Sequence, residues 1–480
     1  MPQVQGFVGG SYIGQSLFAA GHRTINMVPE IVPEGGKTRA ALYPAPGYAL
    51  FATTPKAPGR GMYYENDRLW AVGGNQLCEV SAAGVVTARG DLLADANPAQ
   101  LSSNGDVGDE LLVSSGGRGD ILVLSTNTFL PGEVADVHFS SQLDGFFFGL
   151  DTATSTLKAS RATDGQTWDA TDVVRRTSAP DRWRAMIASR RELFLFGGKT
   201  GEVFTNRGGG TGFPYRKRTG ADFQNGIIAP YSLCLFGDSI AWLGRTSNGA
   251  GAVYWMSGYT PEEISTPAVQ WAIQEYEDNG DIDDAIGWSY EREGHKYYVL
   301  TFPDAGKTWV YDSTTEVWHE RGFWDTHAAD YMAYRGQFHA NAFGRNLVQD
   351  RESGNIYALS SKVFVDVDGR GIRRSRRMPH VHSDDKLLYF SKMTLGCDRG
   401  VGDVDPASQG YDPVVNLTAS NDGGHRWGAD RSRRIGTQGA RNVRVRWNQG
   451  GRSRDRVWEL WSADPVAHRW LGFSSMVKHR

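Results

Sequence analysis

The residues best placed by type and spacing to do chemistry lie late in the chain. Ser420-Asn421-Asp422-Gly423-Gly424-His425-Arg426-Trp427 fits the Asp-box pattern S-x-D-x-G-x-T-W at every position but the threonine. In such a box the Asp bonds backbone N–H groups across a turn, and the Trp packs below it. A poorer copy is Asp164-Gly165-Gln166-Thr167-Trp168. The box is structural: it caps a hairpin and breaks no bond. Two histidines, His380 and His382, flank Val381 and have Asp384 and Asp385 nearby. In a strand both would face one side, a spacing that suits a metal, although solvated or hydrogen-bonded histidines are the simpler expectation. Glu275, Glu277, Asn279 and Gly280 mimic the start of a calcium loop. Ile286 stands where the bidentate carboxylate belongs, so that site is incomplete.

Arginine is the other concentrated chemistry. Arg370, Arg373, Arg374, Arg376 and Arg377 crowd one short stretch, expected to be a boundary strand or exposed hairpin. Arg441, Arg444 and Arg446 belong to a second run between Arg426 and Arg456, opposed only by Asp430 and Asp455. Guanidinium forks suit carboxylates and phosphates alike. The run therefore reads as contact with DNA or an acidic partner, or as salt bridges within an oligomer. Other motifs fail sooner. No G-x-S-x-G elbow and no Walker loop occurs. Arg207-Gly208-Gly209-Gly210 has no helix after it to hold a phosphate. Arg118-Gly119-Asp120 reads as an ordinary turn. Cys78, Cys234 and Cys397 are too far apart for a disulfide framework or metal knuckle, which points to a reducing compartment of synthesis. No catalytic residue, cofactor or metal is assigned.

What positions these residues is a repeated two-strand phrase. Its clearest copy runs from Glu192 to Phe204: an apolar strand, a glycine turn, then a second strand. Further copies pair Leu69–Val72 with Leu77–Val80, Leu111–Val113 with Ile121–Leu124, Ile240–Leu243 with Val253–Met256, and Tyr297–Leu300 with Trp309–Asp312. Weaker ones pair Phe146–Phe148 with Leu157–Ser160, and Ala340–Phe343 with Ile356–Leu359. The period of roughly 35–55 residues falls around that of propeller blades. So small a sheet cannot bury both faces alone and must stack on its copies. The expected fold is all-β: a β-propeller of about six to eight blades with an additional C-terminal β domain. The expected division is an extended edge-strand segment over 1–60, the propeller over 61–365, and an arginine-rich β region over 366–480. One helix interrupts the repeat, with Thr266 as N-cap and Pro267 in the first position. Expected tail strands are Leu387–Leu395, Val414–Ala419, Val443–Trp447 and Val457–Trp461. Met1–Gly6 carry no basic region or apolar run, so no secretory signal is expected, nor a membrane segment.

Ordered pieces along nearly the whole chain resemble the tail-nozzle, or packaged-DNA stabilisation, proteins of short-tailed bacteriophages. They are Ile25-Asn26-Met27-Val28-Pro29-Glu30, Tyr43-Pro44-Ala45-Pro46-Gly47, Gly59-Arg60-Gly61-Met62-Tyr63 and Arg68-Leu69-Trp70-Ala71-Val72-Gly73-Gly74. Gly258-Tyr259-Thr260-Pro261, Ile264–Val269, Gly294–Pro303, Thr308–Asp312 and Trp318–Arg321 follow, and the tail adds Ser420–Gly424 with Arg446-Trp447. The resemblance implies a propeller-bearing subunit of a homo-hexameric ring, docked below the portal and its adaptor (the head-to-tail connector). The ring would extend the channel for double-stranded DNA, hold the packaged genome until ejection, and offer surfaces to tail spikes or fibres and a plug or needle. It implies location in the virion tail after synthesis in the host cytoplasm. The family has no catalytic residues to carry over. Arg373, Arg374, Arg376, Arg377, Arg441, Arg444 and Arg446 are then candidate subunit or adaptor contacts. The net charge of −3 suits a channel that must not grip DNA. The alternative is a carbohydrate-active or glycan-binding phage propeller, sialidase-like. It would need Asp-boxes in several blades plus an arginine cluster, a tyrosine nucleophile and its glutamate. A WD-type scaffold ranks below both, since Trp168-Asp169 and Trp324-Asp325 lack a regular blade position.

Overall fold

A computed structural model describes residues 4–32, 36, 38–208, 212–245 and 249–479. Its first part is a ring of seven four-stranded antiparallel blades. Six are laid down consecutively: Gly59–Asp91, Gln100–Ala135, Phe139–Arg175, Trp183–Lys217, Cys234–Glu263 and Ile286–Arg321. The seventh takes Gly336–Ala342, Arg345–Asp350 and Asn355–Ser360, and its outer strand, Gly47–Thr53, comes from far upstream. The first strand of blade seven lies beside that of blade one, so the ring closes.

Blade strands read as unbroken apolar runs because both faces of each blade are covered by neighbours. Leu193, Phe194, Leu195 and Phe196 are all buried in one core with Trp183, Phe223 and Trp242. The glycine after their turn is a packing requirement: a Cβ at Gly201 would lie 1.9 Å from the Phe223 ring. The helix forms over Pro267–Asn279, with Thr266 Oγ1 accepting from the Val269 N–H and Gly280 closing it at φ +84°.

The second part is a β-sandwich. One sheet holds Met27–Ile31, Ala40–Pro44, Trp470–His479, Leu388–Cys397 and Arg446–Ser453. The facing strands are Gly21–Ile25, Arg374–Arg377, Asp455–Ser462, Val414–Ser420 and Arg431–Arg434. Met27, Leu42, Leu417, Trp447, Trp458 and Trp470 pack between them. This second sheet continues blade six: Ile25 pairs in parallel with Glu320, joining both parts in one 11-stranded sheet.

Several expectations are corrected. Residues 1–60 are not a separate segment: Gly21–Ile25, Met27–Ile31 and Ala40–Pro44 belong to the sandwich, and Gly47–Thr53 to blade seven. Of the proline-bearing strands there, Met27–Ile31, which contains Pro29, ends its sheet, whereas Ala40–Pro44 lies between two others. Arg374–Arg377 is an interior strand between Gly21–Ile25 and Asp455–Ser462, not an exposed hairpin. The weak copy at Ala340 is the first strand of its blade, and its partner is the polar-ended Arg345–Asp350. Strands Arg431–Arg434 and Trp470–His479 add to the expected tail. Met1–Gln3, Gly209 and Gly210 lie outside the described residues.

Candidate functional site

The arginines fall into two groups of opposite character. Those of Arg374–Arg377 are turned into the chain. Arg376 is fully buried. Its guanidinium donates to the carbonyls of Phe7 (2.7 Å) and Gly10 (2.9 Å), to Gly6 O, and to Thr24 Oγ1 (2.6 Å). Among the described residues no carboxylate pairs with it, and burial pushes its pKa down to about 9. Arg374 is equally buried, donates to Asp464 O and Val466 O at 3.2 and 3.3 Å, and is pushed down to about 10 by the same desolvation. Arg377 pairs with Glu459 at 2.9 Å and lies over the Trp427 ring. Arg373 is clasped between Trp324 and Trp461, 3.8 Å from each ring centroid. As candidate contacts for another chain, Arg374 and Arg376 are therefore corrected. Both guanidiniums are spent on backbone carbonyls of their own chain, and Arg376 pins the N-terminal residues onto the sandwich.

The second group faces outward. Arg433, Arg434, Arg441 and Arg444 are exposed, and Arg446 is half-buried. Arg431–Arg434 is the last strand of its sheet, and Arg446–Ser453 the last strand of the facing one. The arginines thus crowd the open side of the sandwich. Arg433 Nε is spent on Arg446 O at 2.8 Å, and Arg434 pairs with Asp412 at 3.0 Å. Asp430 accepts instead from Trp461 Nε1.

The remaining candidates resolve into structure. Asp422 Oδ1 accepts from Ser420 Oγ (2.7 Å) and the Arg426 N–H (2.9 Å), the capping role of an Asp-box. At the poorer copy Asp164 accepts from the Gln166 N–H, while the Gly165 N–H reaches buried Glu110 on the neighbouring blade. His380 is held by Asp455 at 2.7 Å and by Leu17 O at 2.8 Å, whereas His382 is exposed, so they do not converge. Among the described residues no group of His, Cys, Asp and Glu could hold a metal ion. Arg118 pairs with Asp120, which is buried and accepts from the Gly132 N–H. The three cysteines are free. None of the helices described is long and apolar enough to cross a membrane.

Two features escaped sequence reasoning. Asp151, Asp312 and Asp350 end strands, and each accepts from the hydroxyl three residues on: Thr154, Thr315 and Ser353. The signal was D-x-x-[ST] after an apolar strand. His295 bridges Asp312 (2.7 Å) in blade six and Glu30 (2.8 Å) in the sandwich, a contact between positions too remote for spacing to reveal.

Two family models match the chain in order. One, described as bacteriophage P22 Gp10, beta-propeller, covers residues 20–364. The other, described as bacteriophage P22 Gp10, beta-sandwich, covers residues 373–474. No curated protein matches. Among solved structures, the N-terminal domain of Nup159 is similar at TM-score 0.42 and 10% identity, over 70% of this chain and 98% of that one. A streptogramin B lyase is similar at TM-score 0.41 and 11% identity, over 65% and 97%. BamB from Moraxella catarrhalis is similar at TM-score 0.39 and 12% identity, over 71% and 98%. Likeness this distant carries no argument about function.

Proposed function

The chain belongs to the bacteriophage P22 Gp10 family, the tail-nozzle or packaged-DNA stabilisation proteins, and is a phage structural protein; from that premise we propose that it is a subunit of a hexameric tail nozzle. In this reading the ring extends the portal–adaptor channel, retains packaged DNA, supports its ejection, and carries the spike or fibre and the plug. The observation that carries it is the pair of family matches in sequence order, which together span both parts of the molecule.

Physical features support the reading. A propeller closed by its own upstream strand is a rigid wedge with many exposed loops, suited to ring building. The net charge of −3 avoids strong capture of phosphates that must slide past. The Asp-box residues serve turns, and no catalytic role is assigned. The exposed arginines of the sandwich edge offer forked donors to an acidic subunit or adaptor surface.

The test is genetic. Phage lacking this chain should fill their heads and then leak DNA, as seen by electron microscopy. Heads that keep their DNA but fail to adsorb would overturn the channel role and move the chain to the periphery of the tail.

A further inference from the structure

Charge is segregated along this chain. Residues 246–291 hold nine carboxylates and no Lys or Arg, whereas residues 426–456 hold ten arginines against Asp430 and Asp455. In a molecule whose net charge is only −3, such blocks are two local fields of opposite sign.

The acidic field is built on the helix. Pro267–Asn279 buries Ala268, Val269, Ala272 and Ile273 against the propeller. Its other face carries Trp271, Glu275 and Asp278, at helical spacings of four and three. Trp271 is 39% exposed. Large exposed aromatics rimmed by charge are typical of contact surfaces. The turn beyond adds exposed Asp283 and half-buried Asp284. Burial, then Asp304 and Asp281, push the Asp284 carboxyl up to about 6, and its Oδ1 has no protein partner. Two cations pair into this block, Arg245 with Glu277 at 2.6 Å and Lys296 with Glu291 at 3.3 Å.

The basic field is the open side of the sandwich, where Arg433, Arg441 and Arg444 are exposed. The helix packs against Trp318 of the outer strand of blade six, so the two fields are held apart within one chain. Between the outer strand of blade six, Val317–Arg321, and the edge strand Arg431–Arg434 lie four strands. At about 4.8 Å per strand spacing, that is roughly 24 Å.

We infer that the outward helix face of one copy, Trp271 to Asp278 with the acidic turn after it, docks onto the arginine-bearing sandwich edge of the next copy. This rests on the ring reading above and names its interface. Two different, complementary patches make a head-to-tail contact, the kind that closes into a ring. Each arginine can accept a carboxylate in its fork or lie over the Trp271 ring. The chain already uses the latter geometry where Arg373 lies between Trp324 and Trp461.

The test uses two full-length charge-reversed chains, E275R/D278R/D283R and R433E/R441E/R444E. Self-association is read in solution by sedimentation velocity, and in assembled particles as copies per tail. Each variant alone should associate roughly a hundredfold or more weakly than the unaltered chain, because like charges then face each other. An equimolar mixture should regain rings, since the reversed helix of one chain meets the reversed edge of the other; that rescue also shows both variants are folded. Rings formed by either variant alone, or no rescue on mixing, would overturn this interface while leaving the ring reading intact. An unaltered chain that is single both in solution and in the tail would overturn the ring reading, and the interface with it.

Discussion

His295 shows what one side chain can tie together. Its ring is buried between Asp312 of blade six and Glu30 of the sandwich, and is stacked on Tyr297 at 5.7 Å. Burial alone would depress its pKa, but the hydrogen bonds and charges of Asp312 and Glu30 prevail and raise it above 6.5. A histidine whose folded pKa is raised adds stability that is complete below the unfolded value and lost as pH rises through the folded one. The unaltered protein should thus exceed His295→Gln in urea stability most below the ordinary histidine value of 6.5, with the margin shrinking as pH rises above it. A margin independent of pH would sink this account. Residue roles were unevenly legible in the sequence. Asp422 could be assigned to its turn because the capping partners lie within four residues. Arg374 and Arg376 were misjudged as surface contacts because composition alone cannot show what a guanidinium touches. Their acceptors come from Asp464 and Val466 on one side and from the first ten residues on the other.

At the level of elements, the vulnerable point is the strand that closes the ring. Gly47–Thr53 runs antiparallel to Asn355–Ser360, and Tyr48 anchors it. The Tyr48 side chain is buried against Tyr334 and Tyr357, and its Oη accepts from the Gly336 N–H at 3.0 Å. Tyr48→Phe leaves that buried N–H unpaired, at a cost of about 1–3 kcal/mol. Tyr48→Ala also opens a cavity, and by analogy with other aromatic truncations should cost about 3–5 kcal/mol. Hydrogen exchange should show the loss first in Asn355–Ser360; equal protection there in both variants would mean the strand is not the clasp. The blades themselves were legible, because each pairs an apolar run with a second one across a glycine turn. Blade seven was blurred. Its second strand, Arg345–Asp350, has only Leu347 and Val348 as apolar residues, so the repeat paired Ala340–Phe343 with Ile356–Leu359 and passed over it. Its fourth strand lies about 300 residues away in sequence, and no local pattern reports such a pairing.

For the whole molecule, the route of the first 65 residues is decisive. The chain begins against the sandwich, where Phe7 enters the core, and lays down Gly21–Ile25 in the sheet shared with blade six. It then contributes Met27–Ile31 and Ala40–Pro44 to the facing sheet, closes blade seven with Gly47–Thr53, and only then starts blade one at Gly59. Propeller and sandwich are thus not two beads on a string. Each needs strands from the same upstream segment, and the shared sheet runs through both. Cooperative units follow contacts rather than order in the chain, so the two parts should unfold together. Calorimetry of the full chain should give a single endotherm with equal calorimetric and van't Hoff enthalpies. A chain ending at residue 365 should fare badly, because Phe7, Met27 and Leu42 lose the sandwich core that buries them. It should aggregate rather than fold as an isolated propeller. Two separate transitions in the full chain, or a soluble and cooperatively melting 1–365 fragment, would show that the shared sheet does not couple the parts. With coupling, a load on the sandwich edge is carried through Gly21–Ile25 into blade six. That makes edge contacts with another protein act on the propeller as one rigid piece.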